Sequence, residues 1–449
     1  MAGYQKLNIL LREELDQLEE EGRLFDKKAY IKEIEENAGD KIKLMEIYGR
    51  MCALPKNPSF PYIEPNEYED IIELCQGESK KYTIDDDIIY DKLYGAWLGR
   101  CIGCALGQPV ELWEAKNIKA WCEGANKYPL SYYIPTHSEA EKQYGWKVGC
   151  LASTDEHIAF MQTDDDLRYT VLALRLLREK GQDFDSYDVG LNWHYHLPYR
   201  DLCTAENQAY LNFCNVDENG PWGKPENAVE YLKRDKVNTY LNPYREWIGA
   251  QIRIDCYAYA CAGDPRKAAY LAYKDAYFSH TANGIYGAMF FAAMIAASFG
   301  AADVQEAYEA ALCEIPSTSR LYEALIQTKE TVGSVSDYEE LIEKVNAKFA
   351  KYGCVHTINN AAICAASMLW AGRDFEKALT VSVMAGLDTD CNGATTGSCM
   401  GALLGESGIP DKWKSPLHDT LYSGLIDFHP IKISKIAEIT KELYEKFKA

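Results

Sequence analysis

Residues 95–107 read GAWLGRCIGCALG, with a glycine at every fourth position. Residues 393–405 read GATTGSCMGALLG and repeat the same spacing. A glycine inside a helix costs roughly 1 kcal/mol relative to alanine, so two such runs indicate backbones that approach something closely. We therefore predict two helices, each with a face made of glycine.

The second glycine run follows a pair of carboxylates, Asp388 and Asp390. Side chains at i and i+2 of a helix point about 200° apart, so this pair converges only at irregular backbone, such as a turn into a helix. A second acidic cluster, residues 163–166 (Thr-Asp-Asp-Asp), precedes an apolar stretch with helical spacing. Helix capping needs one carboxylate, not three. With capping as the alternative, two such clusters favour a shared site for Mg²⁺, Mn²⁺ or Ca²⁺.

A third acidic residue, Glu111, lies just beyond the first glycine run. Pro109 ends that helix, and Glu111 follows two residues later. If the two glycine helices pack antiparallel, Glu111 and the pair Asp388 and Asp390 share one end of the helix pair. The sequence therefore predicts one site that combines these carboxylates.

Composition excludes several classes of function. The chain has 449 residues, 47% of them apolar, and a net charge of −21, which argues against nucleic acid as a partner. Fifteen cysteines without a signal peptide indicate reduced thiols, and we expect a cytoplasmic protein. The uncharged stretch 284–302 is rich in Ala and Gly, which favours a buried helix over a membrane span. The one Cys-x-x-Cys, residues 101–104, is better explained by packing in the glycine helix than by zinc.

The chain divides into an extension and a main domain. Residues 1–90 are predicted to form two charged amphipathic helices, up to residue 52, and a proline-rich extended connector. Residues 91–449 read as helix after helix, because alternating strand patterns are almost absent. We expect an all-α fold, with the first 52 residues dispensable for folding of the main domain.

Four segments in this order resemble the ADP-ribosylglycohydrolase family, over roughly residues 90–430. They are residues 95–111, 163–165, 279–280 and 386–390. The resemblance implies a compact all-α catalytic domain that binds two Mg²⁺ ions, for which Mn²⁺ can substitute. It also implies hydrolysis of the bond between the anomeric carbon of ADP-ribose and an acceptor such as arginine or serine.

The resemblance assigns roles to individual residues of this chain. Glu111 becomes the catalytic acid near the scissile bond, with Asp388 and Asp165 directing water. The implied metal ligands are Thr163, Asp164, Asp165, Asp388 and Asp390. The implied substrate-binding residues are Gly249, His280, Gly287, His356, Asn359, Asn392 and Gly393.

Three departures from the family pattern affect the expected substrate. Cys104 stands where better-known members carry Asp, and Cys391 stands where many carry a Thr that binds metal. Residues 250–253 read AQIR, without the Met-Arg that usually follows the glycine loop near the diphosphate. Sulfur is a poor ligand for Mg²⁺. We therefore expect a ribosyl substrate that need not be a protein-linked ADP-ribose.

Competing functions keep the fold but change the chemistry. The expected activity is hydrolysis of a small-molecule ribosyl or ADP-ribosyl substrate, free or linked to protein. The alternative is a catalytically weak or inactive protein that binds a ribosyl metabolite or has a structural role. A metal-dependent phosphatase is less favoured, because no His-rich or additional Asp motif is present. The sequence leaves the oligomeric state open.

Overall fold

The computed structural model describes residues 5–216 and 224–448. The α-helices are α1 (Leu7–Glu20), α2 (Lys27–Glu36), α3 (Lys41–Cys52), α4 (Tyr68–Glu73), α5 (Ile89–Gly107), α6 (Ala115–Gly124), α7 (Glu139–Tyr144), α8 (Asp165–Lys180), α9 (Ser186–His196), α10 (Thr204–Cys214), α11 (Ala228–Arg234), α12 (Asp255–Ala260), α13 (Pro265–Ala276), α14 (Ala282–Ser298), α15 (Val304–Leu312), α16 (Arg320–Val332), α17 (Tyr338–Lys348), α18 (Thr357–Ala371), α19 (Phe375–Met384), α20 (Thr389–Leu404), α21 (Asp411–Lys414) and α22 (Ile433–Lys448). Short 3₁₀ helices span Gln108–Val110, Leu151–Ser153, Tyr199–Asp201, Ile248–Arg253, Glu406–Gly408 and Ser415–Leu417. Two antiparallel strands, β1 (Thr420–Leu421) and β2 (Ile431–Lys432), complete the described elements. The fold is all-α, as the sequence predicts.

Helices α5 and α20 pack with their glycine faces in contact. Gly99 lies against the backbone of Gly397, and Gly103 lies against Gly393. A Cβ atom added to any of these four glycines would overlap a carbonyl group of the other helix. As residue numbers increase along α5, the residues that they contact in α20 have decreasing numbers. The two helices are therefore antiparallel. This confirms the arrangement expected if the two glycine runs pair.

Helix α14 occupies the centre of the main domain. Every residue from Ala282 to Ser298 is buried, and the helix packs against α13, α15 and α20. The apolar stretch read from the sequence is thus a buried core helix. Among the described residues, no helix has both the length and the apolar character needed to cross a membrane.

The N-terminal region contains three helices where the sequence analysis predicts two. The chain breaks between α2 and α3 because Asp40 caps a new helix, accepting hydrogen bonds from the backbone N–H groups of Ile42 and Lys43 at 3.0 and 3.1 Å. The three helices bury a small apolar cluster of their own, which includes Leu15 and Ile34. The amphipathic pattern thus predicts helices in this region, but not the interruption at Asp40 that divides them.

Buried ion pairs join this region to the main domain. The guanidinium of Arg245 lies 2.9 Å from Glu14 and 2.8 Å from Glu21, and its side chain is 6% exposed. Arg320 pairs in the same way with Glu64 of the connector at 2.8 Å. A buried charge that loses its partner is strongly destabilising. Removal of the segment would leave Arg245 and Arg320 without these partners, and folding of residues 91–449 alone stays a prediction.

Substituting a glycine at the α5–α20 contact tests its role in stability. We expect Gly99→Ala to lower the free energy of unfolding by about 1–3 kcal/mol, because the new methyl group forces the two backbones apart. Gly49→Ala in α3 is the control, since nothing lies within 4 Å of the added atom. That variant should gain up to about 1 kcal/mol through helix propensity. Urea denaturation measures both, and equal effects would contradict the predicted contact.

Candidate metal and catalytic site

Three helix ends meet where α5 stops and α8 and α20 begin. The side chain of Gln108, directly after α5, donates a hydrogen bond to Asp164 at 2.7 Å. Thr389, the first residue of α20, donates its hydroxyl hydrogen to the carbonyl of Gly107 at 2.8 Å. These two bonds bring the acidic clusters at residues 163–166 and 388–390 to one place, as the sequence predicts.

A short backbone pairing places Glu111 beside Asp388. The N–H of Leu112 donates to the carbonyl of Leu387 at 2.8 Å, and the N–H of Leu387 donates to Trp113 at 3.1 Å. Both leucines have left-handed backbones, with φ of 61° and 65°. For a residue with a Cβ atom this conformation costs about 1–3 kcal/mol, and such strain clusters at functional sites. Two backbone hydrogen bonds and two strained residues thus hold together the segments that carry Glu111 and Asp388.

The carboxylates form two overlapping groups that share Asp390. Within each group, one candidate ligand atom per residue lies within 4.8 Å of all the others. The first group comprises Cys104, Asp164, Asp166 and Asp390, and the second comprises Asp388, Asp390 and Cys391.

The donor set fits a divalent cation. Asp390 is 4% exposed, and its Oδ1 has no hydrogen-bond partner within residues 5–216 and 224–448. Burial first, then the charges of Asp388 and Asp164, raise the pKa of Asp390 well above its usual range. The buried cation in contact with this cluster, Arg100, is shared between Asp166 at 3.4 Å and Asp255 at 3.0 Å. A bound cation would satisfy the orphaned oxygen and offset the excess negative charge.

The predicted metal ligands fall into two sets. Asp164, Asp388 and Asp390 belong to the groups described above. The hydroxyl of Thr163 accepts a hydrogen bond from Arg168 at 3.2 Å. Asp165 lies alongside, where burial and the charges of Asp164 and Asp388 raise its pKa to about 8. Roles for Thr163 and Asp165 as ligands stay predictions.

Two members of the first group were not predicted as ligands. Asp166 is fully buried and accepts a hydrogen bond from the thiol of Cys391 at 3.1 Å. Cys104 is buried in the glycine helix, as expected, but its sulfur also reaches the carboxylates of the first group. The sequence feature that points to Asp166 as a ligand is its place as the third of three consecutive aspartates. Nothing in the spacing of Cys104 predicted its acidic surroundings.

Glu111 has the properties of a proton donor. The residue remains partly exposed at the edge of the site, although the surrounding protein removes part of the water around its carboxyl group. Removal of water by the surrounding protein, followed by the charges of Asp388 and Asp164, raises its pKa to about 7. A carboxyl group with a pKa near neutrality carries a proton to donate at physiological pH.

A cavity of about 750 Å³ opens beside Leu387, the residue before Asp388, although none of the candidate acids lines it. Its lining includes Leu387, Cys354, Asn359 and Tyr128. Cys354 connects the cavity to the acids, because burial and then the charges of Asp388 and Glu111 raise the pKa of its thiol. The volume is that of a small-molecule site. Of the predicted substrate-binding residues, Asn359 therefore has access to this space.

Two other predicted substrate-binding residues hold the start of α20. The amide of Asn392 donates to Asn360 Oδ1 at 2.8 Å, and the backbone N–H of Asp388 donates to the same oxygen at 3.3 Å. Gly393 lies against the carbonyl of Gly103 in the α5–α20 contact. Both residues have a structural role here, and contact with substrate stays a prediction for them.

The remaining predicted substrate-binding residues are Gly249, Gly287, His280 and His356, and their contacts are with residues outside the two carboxylate groups described above. Gly249 lies against the carboxylate of Glu206, and Gly287 lies against the methyl group of Thr357. His280 is fully buried, and burial lowers the pKa of its imidazole well below the usual range.

His356 contacts the N-terminal region. Its Nδ1 accepts a hydrogen bond from the backbone of Ile358 at 3.1 Å and so caps α18. Its Nε2 lies 3.2 Å from Glu20 of α1. The structure thus places His356 between α18 and α1, and substrate contact stays a prediction for all four residues.

Removing one carboxylate should change stability in opposite directions without and with metal. In metal-free protein we expect Asp390→Asn to raise Tm, because a buried carboxyl group, whose pKa is raised by burial and by Asp388 and Asp164, is replaced by a neutral amide. Mn²⁺ should raise the Tm of the wild type but not of the variant, whose affinity falls at least about 10-fold. Asp303→Asn, at the cap of α15, is the control and should respond like the wild type. Thermal melts in EDTA and in Mn²⁺ measure these Tm values. A metal-free Asp390→Asn protein with a lower Tm than the wild type would contradict the metal site.

The carboxylates also predict how stability varies with pH. The folded-state pKa values of Glu111 and Asp165 are raised to about 7 and about 8, so between the unfolded values near 4 and these limits the folded protein binds more protons. Stability of the metal-free protein should therefore fall as pH rises from about 4.5 to 8. Mn²⁺ should remove this decline, since it binds the ionised form. Denaturation midpoints across this range measure it, and a rise in metal-free stability would contradict the raised values.

The site can now be compared with known proteins. The sequence model of the ADP-ribosylglycohydrolase family matches residues 85–449. Of the solved structures, 45 chains are similar, among them one named "ADP-ribosylglycohydrolase-related protein complex" with a TM-score of 0.50 and 20% identity, covering 80% of this chain and 99% of that chain. That identity supports the shared fold alone. No curated protein matches significantly. Because the family match covers most of the sequence, this chain belongs to the ADP-ribosylglycohydrolase family.

Proposed function

We propose that this protein is a divalent-cation-dependent glycoside hydrolase that cleaves the bond at the anomeric carbon of a ribosyl or ADP-ribosyl substrate. One observation carries the proposal. The backbone pairing at Leu112 and Leu387 holds the carboxyl group of Glu111 beside the buried carboxylate of Asp388, and Leu387 also lines the neighbouring cavity.

The residues divide the chemistry between them. Glu111 donates its proton to the departing nitrogen or oxygen as positive charge grows on the anomeric carbon. Either Asp388 or Asp165, in its ionised form, orients a water molecule and accepts its proton. Cations held by Asp164, Asp388 and Asp390, with Mg²⁺ or Mn²⁺ as the proposed ions, would bind the cis-diol of the ribose and favour ionisation of that water.

The loop at residues 248–253 supports a substrate without a full ADP group. Arg253, its one cation, is buried and already occupied by Glu206 at 2.6 Å, Ser279 at 2.7 Å and Asp275. The Glu206 carboxylate also lies against Gly249. A diphosphate would therefore meet an anion and a fully engaged guanidinium at this loop. We propose a smaller ribosyl compound as the preferred substrate.

Glu111→Gln tests the proposed acid. We expect turnover to fall on the order of 10²-fold or more, because an amide cannot donate the proton to the leaving group. Mn²⁺ binding and Tm should change little. Glu123→Gln, on the exposed side of α6, is the control and should keep full activity. Release of free sugar measures turnover, and an unchanged rate in Glu111→Gln would remove this residue from the mechanism.

A substrate panel separates the competing functions. It contains ADP-ribosyl-arginine, ADP-ribosyl-serine, simple N-ribosides and a phosphate ester, each incubated with enzyme and Mg²⁺ or Mn²⁺. Release of sugar from the N-ribosides supports the proposal. Release only from ADP-ribosylated compounds would return the protein to the ordinary family activity. Binding without release would favour the metabolite-binding alternative, and phosphate release would favour a phosphatase.

A further inference from the structure

The thiol of Cys104 has unusual surroundings for a buried cysteine. It is fully buried in α5, yet its sulfur lies within 4.8 Å of carboxylate oxygens from Asp164, Asp166 and Asp390. In the part of the chain that the structure describes, this thiol donates no hydrogen bond.

Packing alone does not account for this environment. A small apolar side chain would fill the same space without placing a polarisable sulfur among three acids. A second observation also points to a ligand between these residues: the buried Oδ1 of Asp390 has no hydrogen-bond partner among the described residues. One sulfur and three carboxylates also supply the four donors of a tetrahedral site. Bonds of about 2.0–2.3 Å would space these donors by roughly 3.5 Å, so small side-chain movements suffice.

We propose that Cys104, Asp164, Asp166 and Asp390 bind one thiophilic divalent ion, such as Fe²⁺, Co²⁺ or Zn²⁺, in preference to Mg²⁺. Thiolate ligands select such ions, whereas Mg²⁺ requires oxygen donors in octahedral geometry. On binding, the sulfur–metal bond forms and the Cys104 proton passes to solvent. The inference deepens the proposed function, because it assigns a different class of metal to one position of the same site.

The neighbouring residues hold Asp166 in place as a ligand. Arg100, one turn before Cys104, contacts one oxygen of Asp166 at 3.4 Å, while the Cys391 thiol donates to the other at 3.1 Å. Cys391 therefore acts as a hydrogen-bond donor to Asp166. It positions Asp166 and does not bind the ion of the first group.

Cobalt spectroscopy tests the proposal without measuring activity. Reduced, metal-free protein is titrated with Co²⁺ and then challenged with Mg²⁺. We expect an intense near-ultraviolet thiolate-to-cobalt charge-transfer band that saturates at one equivalent and survives a large excess of Mg²⁺. Only weak bands from oxygen coordination, or displacement of Co²⁺ by Mg²⁺, would overturn the proposal.

Cysteine variants assign the band to one sulfur. Cys104→Ser should lose it and bind Co²⁺ at least about 10-fold more weakly. Cys104→Asp should also lose the band but bind Mg²⁺ and Mn²⁺ more tightly than the wild type does. Cys101→Ala, a buried control on the same helix, and Cys391→Ser should keep it. A band that persists in Cys104→Ser and disappears in Cys391→Ser would overturn the assignment.

This result and the proposed function can fail separately. A charge-transfer band without hydrolysis of any ribosyl compound would support the metal assignment and remove the proposed activity. Hydrolysis that needs only Mg²⁺, in a protein without the band, would support the activity and overturn the metal assignment.

Discussion

Direct backbone contact between α5 and α20 is the constraint on which the rest of the structure depends. With no side chains between them, the two helices have little freedom to slide or to change their separation. Their register therefore fixes where α5 ends and α20 begins, at Gly107 and Thr389. Every candidate catalytic or metal-binding residue near those ends takes its position from this contact.

The site concentrates negative charge that the fold only partly offsets. The N-termini of α8 and α20 both point at it, and the partial positive charge of a helix N-terminus stabilises nearby carboxylates. Arg100 adds one buried positive charge through its contacts with Asp166 and Asp255. The remaining repulsion lowers the stability of the metal-free protein, so cation binding and folding are linked. A site that destabilises its own fold is characteristic of function.

Sequence reasoning predicts the frame of this protein better than its details. Glycine every fourth residue identifies the helix pair, since few other contacts need it, and Pro109 marks the end where Glu111 lies. Cys104 and Asp166 belong to the first group of candidate ligands because their side chains point toward the other acids. The spacing of residues in the sequence does not predict that direction. The position of His356 against Glu20 joins distant parts of the chain. Local patterns carry no information about such a contact.

The pairing of α5 with α20 also has a consequence for biosynthesis. The hydrogen bond between Thr389 and Gly107 joins residues 282 positions apart. At about 5–20 residues per second, a ribosome needs roughly 15–60 s to make that intervening chain. During this interval the glycine face of α5 lacks the helix that covers it in the folded protein. The contact on which the site depends therefore forms only after most of the chain has been synthesised.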